Sequence, residues 1–131
     1  AREAEAVAAL VGMTDQLDQR GADLTVAGRK RLELARALAT GPRLLLLDEV
    51  MAGLNPTEIV EIVGVIRNIR ASGVTVLLIE HVMQAVTSLA ERVYVLNQGR
   101  MIAEGTPAAI ADNEMVIEAY LGHGAAKVLR A

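Results

Sequence analysis

Four consecutive leucines, Leu44 to Leu47, run without interruption into two acids, Asp48 and Glu49. A run with no polar face suits neither a one-sided strand nor a one-sided helix. It predicts a short strand buried on both sides, as in a parallel sheet covered by helices. The acids then stand where such a strand leaves the apolar interior, at the carboxyl edge where open α/β sheets bind ligands.

The flanking segments fit the same architecture. Residues 2–12 carry Glu3 and Glu5 in a first turn and an apolar stripe with Val7, Leu10 and Val11, which predicts a helix ended by Gly12. Thr14-Asp15 can begin a short second helix through Leu17, and Gly21 to Thr25 reads as loop. Thr25 is placed to cap a helix reaching about Ala39, with Leu34 and Leu38 at helical spacing. Thr40-Gly41-Pro42 stops that helix and hands over to the leucine strand. Asn55-Pro56-Thr57-Glu58 combines a capping side chain, proline at the first position and a glutamate that reaches back. The helix it opens, 56–71, has Ile59, Ile62, Val63, Ile66 and Ile69 as its buried stripe, and Ser72-Gly73 ends it.

Val74 to Ile79 is a second, almost wholly apolar strand. Strand, helix and strand with short joints form a right-handed crossover unit whose strands run parallel. A short helix at 82–90 follows, then a strand at 92–96, a turn at Gln98-Gly99 and an alternating hairpin partner from Arg100 to Glu104. Thr106-Pro107 starts a helix to about Asp112, and a last helix, 114–121, buries Val116, Ile117, Tyr120 and Leu121. From Gly122 the chain reads as a mobile tail or linker.

Composition narrows the partners. Hydrophobic residues make up 53% of the 131, yet there is no Phe or Trp, so the core is aliphatic. The scarcity of rings argues against a stacking platform for single-stranded nucleic acid. A net charge of −3 with no basic block leaves nucleic acid no electrostatic footprint. Without cysteine there is neither a disulfide framework nor a thiolate metal site. Apolar runs fall far short of the ~18–20 residues of a membrane span, and no signal peptide opens the chain. The expectation is one soluble, cytoplasmic α/β domain. The first residue is Ala1 rather than Met, which implies a processed chain or part of a longer one.

Parallel strands end on the same edge. The first ends in Asp48-Glu49 and the second in Glu80-His81, so topology brings an acid pair and a histidine to one rim. That set suits phosphoryl transfer: one carboxylate for magnesium, one to orient water, and a histidine on the terminal phosphate.

The order Leu24-Thr25-Val26-Ala27-Gly28, Ala35 to Leu38, Leu44 to Glu49, Ala52-Gly53-Leu54-Asn55 and His81 resembles an ABC transporter ATPase, in its signature motif, Walker B motif, D-loop and switch histidine. Glu104 to Pro107 and Val116 to Gly122 are similar to the branched-chain amino acid importer subfamily. The resemblance covers residues 1 to about 122. It implies a partial P-loop NTPase of RecA-like α/β fold with part of the helical subdomain. The parts would be residues 1–42 (helical subdomain with the signature helix), 43–105 (Walker B half of the core), 106–122 (carboxyl-terminal helices) and 123–131 (tail).

The same resemblance implies ATP and Mg2+ as cofactors. Asp48 would hold the magnesium, Glu49 would polarise the attacking water and His81 would contact the γ-phosphate. Thr25, Val26, Ala27 and Gly28 would donate from a helix N-terminus to ATP held by the opposite subunit, and Asn55 would serve the D-loop. Thr25 and Asn55 also suffice as plain helix caps, and both roles can coexist. The implied partners are a second ATPase subunit and transmembrane permease subunits, with no nucleic acid, placing the protein peripherally on the inner face of the cell membrane. The implied function is ATP hydrolysis coupled to import of branched-chain amino acids or similar solutes. Two rivals are a non-catalytic module that completes another subunit's ATP site, and an ABC ATPase outside transport.

The sequence departs from the family pattern in three places. The signature reads Thr25-Val26-Ala27-Gly28 where Ser-Gly-Gly-Gln is usual, and Val50 follows the Walker B glutamate where many relatives carry proline. No Gly-x-x-x-x-Gly-Lys-Ser/Thr occurs within the 131 residues, so the phosphate cradle and Q-loop are expected upstream and this chain alone is expected to be inactive. Glu80 and His123 read as structural, and Arg29, Lys30, Arg31 and Arg36 as a solvated helix face with local pairs.

Overall fold

The alternation of exposed and buried leucines sets the architecture around the first strand. The computed structural model describes residues 2–121, and the expected tail from Gly122 lies outside them, as do His123 and the side chain of Leu121. The chain divides into two compact units, residues 1–85 and 86–131.

In the first unit, α1 (Arg2–Leu10) ends at Gly12, whose φ of +74° is a left-handed stop. Two single 3-10 turns, Thr14–Gln16 and Gly21–Asp23, replace the expected short helix and plain loop. Helix α2 (Val26–Leu38) begins as expected, with Thr25 Oγ1 accepting the Gly28 N–H at 3.0 Å. Helix α3 (Pro56–Ala71) carries the full capping box: Asn55 accepts from Glu58 N–H and Glu58 accepts from Asn55 N–H, both at 2.9 Å. Its buried stripe is Ile62, Val63, Val65, Ile66 and Ile69, while Ile59 is only half-buried because it lies in the first turn. The three helices pack pairwise.

Arg31 corrects the expectation of a solvated basic face. Its side chain is only 20% exposed; Nη1 donates to Gly12 O at 3.2 Å and Nη2 pairs with Glu61 at 3.1 Å. One guanidinium thus joins the end of α1, the first half of α2 and the flank of α3, a reach that Arg's planar fork permits.

Strands β1 (Leu44–Asp48) and β2 (Thr75–Ile79) pair in parallel, Leu46 opposite Leu77 and Asp48 opposite Ile79. The expectation of burial on both sides is corrected. Leu45 and Leu47 are buried, but Leu44, Leu46, Leu77 and Ile79 are all more than half exposed. Side chains alternate across a strand, so these four share one open apolar face with Asp48.

In the second unit, β3 (Val93–Asn97) and β4 (Arg100–Gly105) form an antiparallel hairpin through Gln98-Gly99, both at positive φ. A short core of Val95, Ile110 and Val116 ties the hairpin to α5 (Pro107–Ala111) and α6 (Glu114–Leu121). Tyr120, expected in that core, is 45% exposed. Arg92, just before β3, pairs with Glu104 on β4 at 3.3 Å, its guanidinium 5.8 Å from the ring centre of Tyr94. The short helix α4 (Met83–Leu89) precedes β3.

Candidate active site

The end of β1 turns sharply. Glu49 adopts φ of +51°, a left-handed conformation uncommon for a residue with a Cβ. Its N–H donates to Ile79 O at 2.8 Å, so the parallel ladder extends one residue past β1 before the chain bends away. Ala52 N–H then closes back on Glu49 O at 3.2 Å and Leu54 N–H on Met51 O at 3.2 Å. Beneath this turn the Met51 residue is 2% exposed and anchors it. Backbone strain of this kind persists only where surrounding structure holds it, and it is concentrated at functional sites.

The turn brings two expected residues together. His81 Nδ1 stands 3.5 Å from Glu49 Oε1, both side chains being more than half exposed at the rim. At that separation the two side chains are neighbours rather than tightly hydrogen-bonded. Asp48, exposed at the end of β1, belongs to the open face with Leu44 and Leu46.

Glu80, expected to be merely structural, is built into the same rim. Strand alternation continues one step past β2, placing Glu80 on the covered side with Val76 and Leu78, and its side chain is wholly buried. One carboxylate oxygen accepts the His81 N–H at 3.1 Å and lies 3.9 Å from His81 Nδ1; the other accepts the Met51 N–H at 3.4 Å. The sequence signal for this was an acid at the inward-facing step of an apolar strand.

The signature residues lie at the start of α2, and the cap bond that Thr25 makes stays within that turn. Val26 is 53% exposed, whereas Ala27 and Gly28 are buried. The Gly28 N–H is taken by the Thr25 cap, leaving Val26 and Ala27 as first-turn amides without an intrahelical acceptor. A Cβ on Gly28 would meet Leu24 Cβ and Thr25 Oγ1 at 3.3 Å, so glycine suits the cap. Asn55 is occupied as the cap of α3.

Among the described residues no three His, Cys, Asp or Glu side chains gather into a metal cage. A single exposed carboxylate at Asp48 fits Mg2+, which commonly takes one or two protein carboxylates and completes its shell with phosphate oxygens and water.

Comparison with known proteins finds relatives among ATP-binding proteins of transporters. Residues 1–52 match the family described as ABC transporter, and residues 100–126 the family described as branched-chain amino acid ATP-binding cassette transporter. The high-affinity branched-chain amino acid transport ATP-binding protein BraF of Pseudomonas aeruginosa is 45% identical over 113 residues, covering 86% of this chain and 44% of that one. The lipopolysaccharide export system ATP-binding protein LptB of Acidithiobacillus ferridurans is 42% identical over 105 residues, covering 80% and 44%. The crystal structure of the ADP conformation of an ATP-binding cassette of an ABC transporter superposes with a TM-score of 0.84 at 28% identity, covering 93% of this chain and 50% of the other. The chain thus spans about half the length of the relatives it matches.

Proposed function

In sequence and in fold the chain is that of an ABC transporter ATP-binding cassette over the cassette's carboxyl-terminal half, and from this premise we propose that it supplies the water-orienting side of an ATP hydrolysis site in a transport ATPase. The observation that carries the reading is the Glu49–His81 pair at 3.5 Å on the carboxyl rim of two parallel strands.

Within that reading Glu49 accepts a proton from the attacking water and holds it in line with the γ-phosphate. His81, with Nδ1 turned toward Glu49, donates from its other ring nitrogen to a γ-phosphate oxygen as charge develops there. Asp48 would hold Mg2+, which would supply positive charge against the charge that develops on the phosphates. The open first turn of α2, with Thr25, Val26, Ala27 and Gly28, faces ATP on a second ATPase subunit, and Asn55 lies on the D-loop toward that partner. The match at residues 100–126 to the branched-chain amino acid family supports amino acid import through permease subunits over lipopolysaccharide export. Among the described residues no helix is long and apolar enough to cross a membrane.

The test is a calorimetric titration with MgATP of this chain and of a complete cassette carrying it as the carboxyl-terminal half. Binding and turnover by the complete cassette, and none by the short chain, is the expected result. A complete cassette that binds MgATP and never hydrolyses it would overturn the reading.

A second reading rests on the first turn of α2, where the Val26 and Ala27 amides have no intrahelical acceptor. Here the chain acts as a module whose α2 N-terminus completes the ATP site of another subunit. It predicts that adding the chain raises the ATPase rate of a complete paralogue and that Thr25→Ala abolishes the rise; inert mixing excludes it.

A further inference from the structure

Glu80 is a fully buried carboxylate that the hydrolysis scheme does not use. Burying a carboxylate is unfavourable unless donors meet it. The donors here are two backbone amides from different segments: Met51 in the turn after β1, and His81 at the exit of β2. The bond from His81 is 3.1 Å and the one from Met51, at 3.4 Å, is the longer of the two.

We propose that Glu80 is a positioning residue, a buried clamp that sets the distance between Glu49 and His81. The proposal rests on the hydrolytic reading above. Two residues before Met51 stands Glu49 in its left-handed conformation, and Asn55 follows four residues after Met51. The rim is otherwise joined across the strands by Glu49 N–H on Ile79 O, a hinge-like contact that fixes one point but not the rotation of the turn. A second attachment at Met51, made by the residue adjoining His81, removes that rotation. Both reactive side chains are thereby referred to one carboxylate.

Glu80→Gln is the informative change. An amide has one acceptor oxygen, so either Met51 or His81 loses its partner and faces an NH2 donor instead. Glu80→Met, which has no oxygen acceptor at all, is read beside it in case one variant fails to fold. Amide hydrogen exchange of the 131-residue chain should accelerate about tenfold or more at Met51 or His81 in Glu80→Gln, and at both in Glu80→Met, with the β1–β2 ladder amides unchanged. In a complete cassette carrying this chain, kcat should fall about tenfold or more while KM for ATP stays within about twofold. The same change made on a His81→Ala background should cost little further, since clamp and histidine act as one unit.

Unchanged exchange at both amides overturns the clamp. Faster exchange with unaltered kcat, or a full additive loss on the His81→Ala background, overturns the positioning role. If Glu49→Gln and His81→Ala themselves hydrolyse ATP like the parent, it is the hydrolytic reading that fails, and the exchange data still decide whether the clamp exists.

Discussion

Nδ1 of His81 and Oε1 of Glu49 lie 3.5 Å apart although the two residues leave different strands, and what brings them together is the parallel register that sets Asp48 opposite Ile79. Each is one or two steps past the end of its strand, so any change that alters the turn at Glu49 alters the pair.

Glu49→Gln keeps the shape of the turn and removes the proton acceptor. In a complete cassette it should lower ATP turnover by about 10²–10⁴ while leaving MgATP binding intact. Single-turnover hydrolysis beside equilibrium binding measures both; turnover within twofold of the parent removes Glu49 from its role.

Arg31→Ala should destabilise the chain by about 1–2 kcal/mol, a figure kept low because Glu61 is half exposed and its ion pair is screened. Arg31→Lys should restore only part, since one ammonium cannot serve both the Gly12 carbonyl and Glu61. Urea unfolding monitored by circular dichroism decides; equal stability of all three proteins would show that the guanidinium joins nothing.

Adjacent leucines should differ sharply. Leu45→Ala, at 4% exposure, should cost about 2–5 kcal/mol, whereas Leu46→Ala, at 66%, should cost well under 1 kcal/mol. Thermal unfolding of the two variants tests the open face; similar losses would mean that Leu46 is covered in solution.

Thr25→Ala removes the oxygen that caps α2 and should cost about 1 kcal/mol, with Thr25→Ser close to the parent. The same pair of variants separates cap from ligand role in a complete cassette. An ATPase loss in Thr25→Ala far beyond what its stability explains points to contact with phosphate, and a loss that scaled with stability alone would leave only the cap.

Local chemistry made most elements legible in advance. Pro56 with the Asn55–Glu58 box specified where α3 begins, Gly12 and Gly41 marked helix ends, and the leucine run followed by acids marked the rim. These signals act through neighbours in the chain, so no distant contact is needed to read them. Asp48, Glu49 and His81 were legible for the same reason, as polar residues terminating apolar strands.

What the sequence by itself determined, then, is the order of elements, their caps, the parallel pairing and the candidate chemistry at the strand ends. Tertiary structure alone decided three things. Leu44 and Leu46 face outward because burial depends on what packs over a face, which an apolar run does not disclose. Arg31 became a cross-link because Gly12 and Glu61, distant in sequence, fold to within reach of one guanidinium. Glu80 became a clamp because the turn after β1 carries the Met51 amide over its carboxylate. Each depends on long-range placement, and a carboxylate or guanidinium reads alike in sequence whether water or a buried amide is its partner.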